Sequence, residues 1–140
     1  MESGIQKIVV PSSNNTTTTT NKNTGVFSGI KYFTPEEFAC KCGGKYCNGA
    51  PATMNQTLLK VADRMRSTFG SPVTVTSGLR CTQHNLNEGG VTNSRHLYGK
   101  AMDCYIVGKT STELLAWVNK QSEIRYAYAV NDRVIHMDVN

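Results

Sequence analysis

The chemistry this sequence can offer rests on three histidines and five cysteines. His96 is followed seven residues later by Asp103 in SRHLYGKAMD, and His136 stands in VIHMDV. Two imidazoles and one carboxylate satisfy the ligand count of a catalytic zinc site, which takes three protein groups and keeps a fourth position for water. Such a metal would lower the pKa of its water to about 7 and supply a nucleophile at neutral pH. His84 precedes His96 by twelve residues, a spacing with no metal logic, and is expected to staple a loop.

The cysteines are Cys40, Cys42, Cys47, Cys81 and Cys104, an odd number that leaves at least one unpaired in a monomer. Cys40, Cys42 and Cys47, joined by Cys81 or Cys104, would make a second, structural zinc site. Alternatively Cys40 or Cys42 forms a disulfide with Cys47, or all remain thiols, the default in a reducing cytosol.

Elements must position these groups. Thr34-Pro35-Glu36-Glu37-Phe38 reads as a short helix start, with Thr as cap and Pro in the first position. Residues 40–51 read as loop. A main helix is expected over 53–69, capped by Thr53 with Gln56, burying Leu58, Leu59, Ala62, Met65 and Phe69 and ending at Gly70. Residues 73–76 alternate as a strand, and 77–100 form a long polar stretch of the kind that carries function. Residues 100–107 read as strand, 111–120 as helix with Leu114, Leu115 and Val118 buried, and 125–130 and 133–139 as a hairpin turning at Asn131-Asp132. The fold class expected is α+β, an antiparallel sheet with packed helices in a single domain.

The 140 residues fit one domain. Residues 11–24, PSSNNTTTTTNKNT, bury too little to offset their ordering entropy, so 1–24 are expected to be an arm or linker, with 25–140 the domain. Ile5–Val10 is read as a remnant of a preceding module or a strand that docks back. No apolar run reaches the roughly 20 residues of a membrane span, and no signal peptide is evident at the N-terminus. The net charge of +5 suits an anionic target by long-range steering, but the basic residues are dispersed, which argues against nucleic acid.

Together the stretches SGLRCTQHN (77–85), GGVTNSRHLYGKAMD (89–103) and VIHMDV (134–139) resemble peptidase family M15, the zinc D-Ala-D-Ala carboxypeptidases, and in particular its small phage endolysin and cell-wall hydrolase branch. YFTPEEFACKC (32–42) is similar to the start of that branch. The resemblance implies the fold shared with the Hedgehog signalling domain, and Zn2+ held by His96, Asp103 and His136. It also implies that Arg80 of S-G-x-R holds the substrate carbonyl or carboxylate and stabilises the oxyanion. Ser94 and the backbone after Gly89-Gly90 would shape the substrate cleft, with Gly99 and Ala101 allowing close packing.

The sequence departs from that family at the general base. Several branches place Glu or Asp three residues before the last His, where this chain has Arg133. Asp138 shares a strand face with His136 and is the first candidate for base or water-orienting group, with Asp132 second. The other reading makes Asp138 a partner that orients a metal ligand or Arg80. The activity implied is a zinc metallopeptidase hydrolysing stem-peptide bonds of bacterial peptidoglycan, as an endopeptidase or D,D-carboxypeptidase. The chain would act as a monomer, made in the cytoplasm (a host's, for a phage protein) and released to the wall. The alternative is a non-catalytic, zinc-stabilised Hedgehog-like module that binds wall peptide or a protein partner.

Overall fold

The computed structural model describes residues 25–48 and 54–140. The expected arm 1–24, the Ile5–Val10 strand, the loop end at Pro51 and the Thr53 cap lie outside them. Helix α1 spans Gln56–Phe69, and its cap is Asn55, whose side chain accepts from the Thr57 and Leu58 amides. A capping box on Gln56 is displaced because Asn55 sits one residue before the helix and its short carboxamide reaches both orphan amides. Leu58, Leu59, Val61, Ala62 and Met65 are fully buried, each large side chain contributing roughly 1.5–3 kcal/mol. Phe69 is only partly buried, edge-on to Trp117. Gly70 ends the helix in the left-handed conformation, φ 66°.

Four antiparallel strands follow: β1 (Thr74–Ser77), β2 (Ala101–Tyr105), β3 (Tyr126–Ala129) and β4 (Ile135–Asp138). Their spatial order is β1-β2-β4-β3, so the last strand in sequence lies inside the sheet. The α+β expectation holds. Alternation gives β2 and β4 two different faces. Met102, Cys104, Ile135 and Met137 enter the hydrophobic core, leaving Ala101, Asp103, His136 and Asp138 for the opposite face. Both faces of these strands are covered, which is why every residue of β4 is buried.

The polar stretch 77–100 is not plain loop. It contains α2 (Thr82–Asn87) and a 3₁₀ turn, Arg95–Tyr98. Pro35–Phe38 also forms a 3₁₀ turn with Thr34 as the expected cap and Pro35 in the first position, and the Thr34 amide donates to Glu37 Oε2. Helix α3 spans Ser111–Val118, capped by Thr110 and Glu113. Leu114 and Val118 are buried, while Leu115 is only half-buried. The hairpin turn is wider than Asn131-Asp132: Asn131 Oδ1 accepts from the amides of Arg133 and Val134, closing an Asx turn across three residues.

Candidate metal centre

Three elements bring the metal-ligating side chains together. Asp103 on β2 and His136 on β4 are direct cross-strand partners. His96 comes from the 3₁₀ turn packed over that sheet face. One donor atom from each of the three lies within 4.8 Å of the others. His136 Nδ1 is 3.0 Å and His96 Nε2 is 3.3 Å from Asp103 Oδ1.

The second nitrogen of each imidazole is occupied. His96 Nδ1 faces the Gly78 carbonyl at 2.8 Å, so it carries the proton and leaves the Nε2 lone pair toward Asp103. His136 Nε2 lies 2.7 Å from Asp138 Oδ2, which leaves Nδ1 for the centre. This is the outer support that metal-bound histidines ordinarily have, one a backbone carbonyl and one a carboxylate. The donor set therefore fits one divalent cation with an open position.

Electrostatics agree with that fit. Burial works to raise the Asp103 pKa, but hydrogen bonds with His136 and His96 and their charges outweigh it and bring the carboxyl down to about 2. Burial works to lower the His136 pKa, and its hydrogen bonds with Asp103 and Asp138 overcome this and raise it.

A cavity of about 350 Å³ opens over the cluster. Arg80 lines it, donates to Ser77 Oγ and Asn85 Oδ1, and sits 3.7 Å from Asp103 Oδ2. Ser94 also lines it, and its hydroxyl accepts from the His96 amide, so it caps the ligand turn. Asp138 lines it while bound by both Arg125 donors, at 2.8 and 3.0 Å. Asp132 is not brought to the cavity. It sits exposed in the hairpin, where its carbonyl accepts from the Ser111 amide. Arg133 faces a separate recess with Tyr105, Asn131 and Val134. His84 stays on α2, outside the cavity lining.

Sequence reasoning missed Arg125, Tyr126, Tyr128 and Asn85. Tyr128 stacks on His136 at 4.7 Å, because it is that residue's cross-strand partner. Alternation in YAYA, paired against IHMD, was the available signal. Asn85 is 2% exposed and binds both Arg80 and the Val91 carbonyl. A Cβ at Gly90 would fall 2.0 Å from its Oδ1. The Asn85–Gly90 contact thus fixes Arg80 from behind.

No curated protein matches the chain. The model of the family described as Peptidase M15 matches residues 31–138, which takes in the four strands described, the cavity and the candidate ligands His96, Asp103 and His136. The chain belongs to peptidase family M15.

Proposed function

We propose that this protein is a zinc-dependent peptidase that hydrolyses a stem-peptide bond of bacterial peptidoglycan, with His96, Asp103 and His136 as the metal ligands. The observation that carries the reading is the convergence of these three donors below an open cavity lined by Arg80, Arg95 and Arg125. Stem peptides bear several carboxylates, and a cavity with three guanidiniums suits them. Zinc, when bound, supplies Lewis-acid polarisation of the scissile carbonyl and activation of water.

The chain's own residues supply the rest. Arg80, held by Ser77 and Asn85, directs its guanidinium toward the carbonyl oxygen where negative charge develops. The Ser94 hydroxyl accepts from the His96 amide and has its proton left to donate to substrate. Tyr126 and Tyr128, both exposed, offer an apolar wall to the peptide. Asp138 accepts a hydrogen bond from His136 Nε2 and so fixes that ring, and Arg125 holds Asp138 in place with two hydrogen bonds. Asp138 is also the only carboxylate among the cavity's described residues outside the ligand set, which keeps it as the candidate to accept the proton of the attacking water. The chain would act as a monomer on the wall after release from the cytoplasm.

A second reading, a zinc-stabilised module that binds wall peptide without cutting it, draws on two observations. Arg133 holds the place of an acid and faces away from the cavity, and Asp138 is engaged by two partners. Metal-loaded protein on purified peptidoglycan separates the readings. A peptidase releases free amino groups, chelator stops the release, and mass spectrometry of the muropeptides names the bond. If folded, metal-loaded protein releases none from peptidoglycan of any cross-link type but still pulls down with it, the peptidase reading fails and the binding module replaces it.

A further inference from the structure

The second group of metal-capable side chains lies outside the cavity. Cys40, Cys42, Cys47 and Cys81 each place a sulfur within 4.8 Å of the other three. Three come from one turn-rich loop, and the fourth comes from the segment that carries Arg80, 34 residues beyond Cys47. Zn–S bonds of about 2.3 Å at tetrahedral angles put sulfurs about 3.8 Å apart, which is the scale of this cluster. Cys42 and Cys47 sulfurs are 3.4 Å apart, well beyond the bond length of about 2.05 Å in a disulfide. Cys104 takes no part, since its side chain is in the hydrophobic core.

The surrounding backbone is shaped for such a centre. Gly43 and Gly44 both have positive φ, 69° and 83°, and the Lys45 amide donates to the Cys42 carbonyl, so the chain curls round between Cys42 and Cys47. The Cys81 amide donates to Cys40 Sγ at 3.3 Å, a hydrogen bond that supports a thiolate. Between Lys41 and Asn48 no side chain is buried, so this loop has no apolar anchor of its own. A metal is the ordinary means of fixing so small an unanchored loop.

We propose that these four cysteines form a second, structural metal site that takes one soft divalent cation, zinc, as a tetrathiolate. Thiolate donors select zinc over calcium or magnesium. The site clamps the 40–47 loop to the segment Gly78–Cys81. That segment already lies against Phe38: the Leu79 amide donates to the Phe38 carbonyl, and a Cβ at Gly78 would meet Phe38 Cα at 2.7 Å. It carries Arg80 and presents the Gly78 carbonyl to His96. The tetrathiolate centre thereby holds in place both the cavity guanidinium and the acceptor that orients His96, without touching substrate.

The two centres share no ligand, so they can be tested apart. In the full chain, His96→Ala with His136→Ala removes the cavity centre. Purified under reducing, zinc-replete conditions, that protein should retain about one zinc per chain by elemental analysis. Adding Cys42→Ser and Cys47→Ser should bring this to near zero. Cobalt(II) put in place of zinc should show thiolate-to-metal charge-transfer absorption in the near ultraviolet. Should the cysteine variant fail to fold, alkylation of the wild-type protein serves instead: zinc should protect Cys40, Cys42, Cys47 and Cys81 together, and chelator should expose them together. The proposal is overturned if the folded double-histidine variant holds no zinc, if the four thiols alkylate equally with and without zinc, or if Cys42 and Cys47 emerge as a disulfide. None of these outcomes depends on whether the protein cuts peptidoglycan.

Discussion

His136 faces Asp103 on one ring nitrogen and Asp138 on the other, and this bracket decides how the residue should respond to substitution and to pH. If Asp138 acts by orienting His136, Asp138→Asn should weaken metal affinity about 10–100-fold while fully loaded protein keeps much of its kcat. Metal titration against a chromophoric chelator, with kcat measured at saturating metal, distinguishes this from a proton-transfer role, in which affinity holds and kcat collapses. Arg80→Ala should lower kcat/KM by about 10²–10³-fold with the metal retained, as loss of an oxyanion donor does. The raised His136 pKa gives a signed expectation for pH. Its protonation stabilises the metal-free fold fully below the ordinary value of 6.5, and that contribution is lost as pH rises through the raised value. Metal needs the deprotonated ring, so its gain runs the other way. The difference in Tm between metal-loaded and metal-free protein should therefore widen from about pH 5.5 to about pH 8, and a constant difference across that range would contradict the bracket.

At the scale of elements, the caps and close approaches carry the checkable energetics. Asn55→Ala should cost about 1 kcal/mol in chemical denaturation, since α1 loses the acceptor for two of its first amides. Gly78→Ala should cost more than an ordinary surface change, because the added methyl meets Phe38 backbone, which cannot swing aside. Cys104, pushed up to about 12 by full burial and then by the Asp103 charge, should resist alkylation until the protein unfolds. The elements were legible where periodicity speaks. The apolar stripe of α1, the alternation of β1 and the Gly70 stop are all present in the residue pattern. The α1 cap was not, because Asn55 and Thr53 are both good capping residues and sequence does not say where the first turn closes. Nor was α2, whose TQHNLN buries only Asn85 and shows no amphipathic stripe.

For the whole molecule, His96, Asp103 and His136 stand out as candidate ligands by their residue types and by the motifs that resemble the family. The two-residue period of a strand ranks Asp138 ahead of Asp132, while the cross-strand pairing of Asp103 with His136 is visible only in the fold. Asp132 lies in the Asx turn before the start of β4, and Asp138 lies on the site face beside His136. Arg125 was invisible because its partner is thirteen residues away and is fixed only by the β3–β4 pairing. Removing metal should lower Tm, and zinc restored at about 100 times its dissociation constant should return about 2.7 kcal/mol of stability per site. If both centres bind, chelation should show two stages with different resistance to thiol reagents.

The strand order β1-β2-β4-β3 bears on when the protein gains its site. β4 is made last among the four strands yet must slot between two already synthesised, so although it reaches β3 through a short hairpin, its pairing with β2 spans the far longer segment 106–134 and is the slower to form. A nascent chain that has produced β1 to β3 holds Asp103 and His96 but neither His136 nor a continuous sheet. The three candidate donors of the cavity are thus brought together only once β4 has been made and has paired with β2, because His136 arrives with that strand.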